Sequence, residues 1–109
     1  MGGRDYLGEF EHVVLLALAR LPGEVYGGSV HQEILDATGR DVSIPAVYVT
    51  LKRLEAKGLV RSELGPGEGV TRRRTRNYRV TPAGREALAR SRALLERLWQ
   101  GADVPGGTS

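Results

Sequence analysis

Lys52, Arg53, Arg72, Arg73, Arg74 and Arg76 are the side chains whose type and spacing point to a chemistry, and it is the holding of a polyanion. Nine of the sixteen Lys and Arg residues lie between positions 41 and 80, against four acidic residues, so this stretch carries +5. Residues 1–40 hold three basic and six acidic residues and carry −3, and residues 81–109 carry +1. Cations gathered in one stretch are the electrostatic footprint of a nucleic-acid surface, because displacing counterions from phosphates rewards clustered positive charge. A merely solvated charge run would look the same in composition. Shape must separate the two.

Other chemistry finds little to build on. No cysteine is present, which removes disulfides and thiolate metal sites. His12 and His31, the only two histidines, fall on different expected helices with no i, i+4 partner, so neither is assigned to a metal. Gly65, Gly67 and Gly69 lack the following Lys-Ser/Thr of a phosphate-binding loop and read as a turn. Neither a Ser/His/Asp spacing nor a paired carboxylate stands out. The chain is expected not to be an enzyme and to require no cofactor.

The element that must position the cations is Ile44–Lys57. At about 100° per residue, Val47, Leu51 and Leu54 fall on one narrow stripe, the signature of a helix that packs by one face. The opposite face carries Pro45, Val49, Lys52, Arg53 and Ala56, with Tyr48 on the flank. Two cations among small side chains suit a helix that enters the major groove of DNA. Pro45 fits the first helical position and Gly58 the residue just past the end. Leu59–Leu64 then reads as a strand, Gly65–Gly69 as a turn, and Thr75–Thr81 as a second strand. A helix followed by a hairpin whose far limb holds Arg72, Arg73, Arg74, Arg76 and Arg79 has the layout of a winged helix, its wing lying along the DNA backbone.

The rest of the chain supplies the support. Glu9–Leu21 reads as a first helix, with Phe10, Val13, Val14, Leu16, Ala17, Leu18 and Leu21 covering over half its circumference, hence buried on two sides. A second helix runs from Ser29 to Thr38 with Val30, Ile34 and Leu35 inward, and Val42 and Ile44 are placed to add a small third strand to the hairpin. Thr81 and Pro82 open a last helix reaching Gln100. Its seam of Ala87, Leu88, Ser91, Leu94, Leu95, Leu98 and Trp99 has near-heptad spacing and calls for a partner surface, a second copy in a symmetric dimer in preference to a fold-back onto its own domain. The expected organisation is a flexible N-terminus over 1–8, a winged helix-turn-helix over 9–81, a dimerisation helix over 82–100 and a disordered tail over 101–109. In class this is mainly α with a small β-hairpin (α+β). The longest apolar run, Val13–Ala19, is far short of the roughly 20 residues a membrane span needs. No export signal is visible either, so a cytoplasmic protein with no membrane contact is expected.

Several runs together resemble the PadR family of bacterial transcriptional regulators. They are Gly8-Glu-Phe-Glu-His-Val-Val-Leu-Leu-Ala-Leu, Tyr26-Gly, Thr38-Gly-Arg, Val42-Ser, Ala46-Val-Tyr-Val-Thr-Leu-Lys-Arg-Leu-Glu-Ala-Lys-Gly-Leu-Val and Tyr78-Arg-Val-Thr-Pro-Ala-Gly. The resemblance implies a homodimeric repressor, paired through its C-terminal helix, on a palindromic operator in double-stranded DNA. By that analogy Tyr48, Lys52 and Arg53 lie at the DNA, beside Val49 on the same face, and Ser43 lies near a phosphate. Leu88, Ser91, Leu94, Leu95, Leu98 and Trp99 form the dimer interface. The family often has glycine where this chain has Pro45, which bears on how the helix meets the groove. Members that bind drugs use a tryptophan on this helix, so Trp99 either anchors the interface or lines a slot for a small aromatic effector. Two alternatives stand beside DNA binding: a sensor of aromatic compounds at the dimer interface, and a winged helix used only to bind protein. The Lys52, Arg53 and Arg72–Arg74 set argues against the last.

Overall fold

The computed structural model of the chain describes residues 6–65 and 75–104. Its elements run α1 (Glu9–Arg20), β1 (Val25–Tyr26), α2 (Gly27–Thr38), α3 (Ile44–Ala56), β2 (Val60–Leu64), β3 (Arg76–Val80) and α4 (Pro82–Gly101). Among the described residues it is a mainly helical protein with one small antiparallel sheet, of strand order β1-β3-β2. This is a winged helix-turn-helix followed by a long terminal helix.

Local chemistry sets the element ends. Gly8 has no side chain to cap α1, and Glu11 replaces it by accepting the Gly8 N–H at 2.9 Å. Gly39, at φ 75°, closes α2 in the left-handed geometry that glycine tolerates without cost. Ser43 caps α3, its Oγ accepting the Ala46 N–H at 3.1 Å, so Ile44 is the first helical residue and Pro45 the second. Thr81 caps α4 in the same way through the Gly84 N–H at 3.0 Å, and its own hydroxyl donates to the Gly58 carbonyl at 2.7 Å.

The core joins Val14, Leu15 and Leu18 of α1 to Val30 and Ile34 of α2 and to Val47, Leu51 and Leu54 of α3. Val25, Val60 and Tyr78 close it from the sheet and Ala87 from α4. Two expectations change here. The inward stripe of α1 runs through Leu15, fully buried, whereas Leu16 is 46 % exposed, so α1 offers a second face that its own chain leaves open. Leu35 is only half-buried.

The third strand is also not Val42–Ile44. It is Val25–Tyr26, pairing with Tyr78 and Asn77 on the edge of β3 that β2 leaves free. The connector before α3 is committed elsewhere: the Val42 carbonyl accepts a hydrogen bond from His31 Nε2 at 2.7 Å, and Ser43 is spent as the cap. That contact also gives His31 a structural role. Among the described residues no group of three or more His, Asp or Glu side chains is placed to hold a metal ion. None of their helices is long and apolar enough to cross a membrane.

Candidate nucleic-acid interface

The central piece is α3. Its inner side, Val47, Thr50, Leu51 and Leu54, is buried, and the opposite side is exposed along Pro45, Val49, Lys52, Arg53 and Ala56. Both faces fall where the apolar spacing placed them. Val47, Leu51 and Leu54 expose 0 % of their surface, which anchors the helix firmly and leaves the cationic side to carry function. Ser43 sits at the open start of this helix as its cap.

Tyr48 is the flank residue whose setting the sequence did not disclose. It is 41 % exposed, and its ring lies against the start of α2. A Cβ at Gly27 would stand 2.4 Å from Tyr48 Cε1 and 2.8 Å from its hydroxyl oxygen, so the close approach exists only because residue 27 is glycine. On its other side the ring meets Tyr78, with centroids 6.4 Å apart and planes tilted by 60°. Burial pushes the Tyr78 phenol above its ordinary value, with Tyr48 and Glu55 adding to the rise against an opposing Arg76. The dipeptide Tyr26-Gly27 therefore ends an edge strand and seats an aromatic of α3.

The wing is tied to α3 by a short polar chain. Arg76 Nη1 donates to Ser62 Oγ at 3.0 Å, and the Ser62 hydroxyl donates to Glu55 Oε2 at 2.7 Å. This joins β3, β2 and α3, and it fixes the root of the Arg-rich limb beside the exposed face of the helix. Arg72, Arg73 and Arg74 lie outside the described residues.

The far end of α3 is held from below. Lys57 Nζ donates to both carboxylate oxygens of Glu11, each at 2.9 Å, and Glu11 is 8 % exposed. Burial alone would raise the Glu11 carboxyl. The Gly8 N–H, Lys57 and Arg53 outweigh it and hold the group below its ordinary value. Arg40, in the connector before α3, donates to Glu9 at 2.8 Å and its guanidinium carbon stands 5.5 Å from the Phe10 ring centroid. The first turn of α1 thus grips both the approach to α3 and its exit. No spacing pattern could reveal a pair 46 residues apart.

The second surface belongs to α4. Gly84 lets its first turn approach the end of α3 and the sheet, since a Cβ there would lie 2.2 Å from the Leu59 carbonyl oxygen. Ala87 and Ser91 are buried within the chain and Leu88 is half-buried, so Ser91, expected at a dimer seam, faces its own domain. Beyond Ser91 every residue to Gly101 is exposed, including Leu94 (41 %), Leu95 (45 %), Leu98 (65 %) and Trp99 (55 %). Two clefts run along this helix against the open face of α1. One, of 470 Å³, includes Tyr6, His12, Val13, Leu94 and Leu95; the other, of 570 Å³, includes Leu16, Leu88, Arg92, Leu95 and Trp99.

Comparison with known proteins places this architecture. Residues 14–90 match the family described as "Transcriptional regulator PadR-like family". The transcriptional regulator Rv3488 of Mycobacterium tuberculosis is 46 % identical over 86 residues, covering 79 % of this chain and 75 % of that protein. Among solved structures, a PadR family transcriptional regulator from Eggerthella lenta aligns with a TM-score of 0.68 at 27 % identity, over 85 % of this chain and 81 % of the other. Bacillus subtilis PadR in complex with operator DNA shares the fold, with a TM-score of 0.65 at 17 % identity; the match covers 93 % of this chain and 52 % of that one.

Proposed function

Since the chain belongs to the PadR-like family of transcriptional regulators, we propose that it acts as a homodimeric repressor that binds a palindromic operator in double-stranded DNA. The observation that carries this reading is the two-sidedness of α3, whose Val47, Leu51 and Leu54 are wholly buried while Val49, Lys52 and Arg53 stand outward. In this reading α3 enters a major groove, Lys52 and Arg53 reach base edges or phosphates, and Tyr48 braces against the backbone from its seat on Gly27. Ser43, at the open end of α3, lies at a phosphate. Arg76 and Arg72–Arg74 follow the backbone beside the groove. A protein lying across a promoter blocks the polymerase by occupancy, and its place of action is the cytoplasm.

Two copies pair through α4, with Leu88, Leu94, Leu95, Leu98 and Trp99 between them and the open face of α1 as the receiving surface. A two-fold dimer sets two recognition helices about 34 Å apart, one turn of DNA, which is why the operator is a palindrome. Selection of bound duplexes from a random pool by the purified protein tests this directly. An enriched inverted repeat is the expected result; enrichment of a single unrepeated half-site, or of nothing, overturns it.

The 570 Å³ cleft beside Trp99 favours a second, compatible role as a sensor of small aromatic compounds. A ligand stacked on Trp99 releases DNA if it prefers a dimer geometry that misaligns the recognition helices. Titration with planar cationic and phenolic compounds, following Trp99 fluorescence and operator affinity together, separates effector from adventitious ligand: only an effector changes both.

A further inference from the structure

The outward stripe of α3 is chemically lopsided. At about 100° per residue, Pro45, Val49, Lys52 and Ala56 fall within about 60° of one another, along the line that lies deepest in a groove. Lys52 alone on that line carries a side-chain hydrogen-bonding group. Val49, at one edge of that arc and about 20° from Ala56, is 56 % exposed. Isolated apolar residues on a surface need no explanation, but Pro45, Val49 and Ala56 share one narrow arc inside the most cationic stretch of the chain, with Lys52 and Arg53 about one turn from Val49.

A side chain without donors or acceptors cannot sit against guanine O6, adenine N6 or cytosine N4 without stripping water from them for no return. The major groove offers one apolar group, the C5 methyl of thymine. We infer that Val49 reads a thymine methyl in each half-site, so that the operator is specified partly by apolar contact and Lys52 reads the adjoining step. This deepens the proposed function and rests on α3 entering the major groove. The flanking cations hold the helix close enough for an apolar contact to form, and the phosphates neutralise them in turn.

The probe is the duplex enriched from the random pool, remade with deoxyuridine at each thymidine in turn. Deoxyuridine pairs as thymidine does and lacks only the methyl group. One position per half-site is expected to lose about fourfold in affinity, the equivalent of the roughly 0.8 kcal/mol that burying a methyl-sized group is worth. Val49→Ala, a change at an exposed site, is expected to reduce that discrimination to less than about twofold while leaving the circular dichroism spectrum unchanged. If every thymidine tolerates the replacement in a duplex that still binds tightly, the inference is overturned and DNA binding by α3 stands. If Val49→Ala keeps the fourfold effect, another side chain reads the methyl and the assignment to Val49 falls. If no duplex is enriched at all, the function proposed above fails with it.

Discussion

At position 27 a hydrogen in place of a methyl group lets the Tyr48 ring lie on the first turn of α2. Gly27→Ala would push a Cβ to 2.4 Å from that ring, and either the ring swings away or the two helices separate. Overpacking of this kind costs about 1–3 kcal/mol. The same substitution made in a Tyr48→Ala background removes the obstacle, so its cost there should fall below about 1 kcal/mol. Urea denaturation of the four proteins of this cycle measures the coupling, and additive costs would show that the ring and the glycine do not meet. Glu11 makes a second residue-level case, in which one carboxylate caps α1 and receives Lys57. Its folded pKa lies below the ordinary 4.5, so its contribution is complete above that value and is lost as the pH falls through the lower, folded one. Glu11→Gln is expected to lose roughly 1–3 kcal/mol at neutral pH. It should also flatten the acid limb of stability measured by denaturation between about pH 3 and 7. An acid limb unchanged in the variant would assign the pH dependence to other carboxylates.

Between elements, the polar chain from Arg76 through Ser62 to Glu55 ties β3 and β2 to α3, while the cations on the two parts are proposed to serve different ends. Lys52 and Arg53 stand on the face proposed to meet bases, so replacing either with alanine should relax base preference at one position by roughly 1–3 kcal/mol if it makes a bidentate contact. Replacing Arg72, Arg73 and Arg74 together should weaken all sequences alike. The slope of log affinity against log salt should then shrink by about 0.9 for each phosphate that is no longer neutralised. Those three arginines lie outside the described residues, and this expectation rests on their charge and on their place in the chain between β2 and β3. A salt slope unaltered by the triple replacement would remove the arginines from the interface. The measurement is operator and random-duplex affinity across a salt series.

For the molecule as a whole, α4 is the element left incomplete. Its 20 residues span about 30 Å, and its second half, exposed throughout, touches little of its own chain. Leu94, Leu95, Leu98 and Trp99 together leave a large apolar strip in water, which the proposed second copy would cover. Leu95 lines both clefts between α1 and α4. Leu95→Asp is therefore expected to yield monomers in sedimentation that keep their helical content and lose operator affinity, since a single half-site binds weakly. A variant that sediments as a dimer would place the seam elsewhere. If two copies pair as proposed, α1 is the element that joins dimer to DNA: one face meets α4, and its first turn holds Lys57 and Arg40 at either end of α3.

Much of this protein was legible along the chain because the signals involved are local. The periods of α3 and α4, the cap at Thr81 and Gly58 past the end of α3 all act within about one helical turn. Charge segregation is likewise a property of order along the chain, and it pointed to the face that α3 exposes. Contacts over longer range were decided only in three dimensions. Val25–Tyr26 is too short for a strand period to register, and it became β1 because β3 had a free edge there while His31 and the cap of α3 occupied Val42 and Ser43. Which apolar residues of α1 face inward depended on where α2, α3 and α4 pack around it, since a helix apolar on most sides does not encode its own orientation. Ser91 turned inward for the same reason: α1 fills the first half of the seam and leaves only the second half open. The seat of Tyr48 on Gly27 and the grip of Glu11 on Lys57 join residues far apart in the chain, and such pairings are set by the packed arrangement of helices rather than by any spacing the sequence carries.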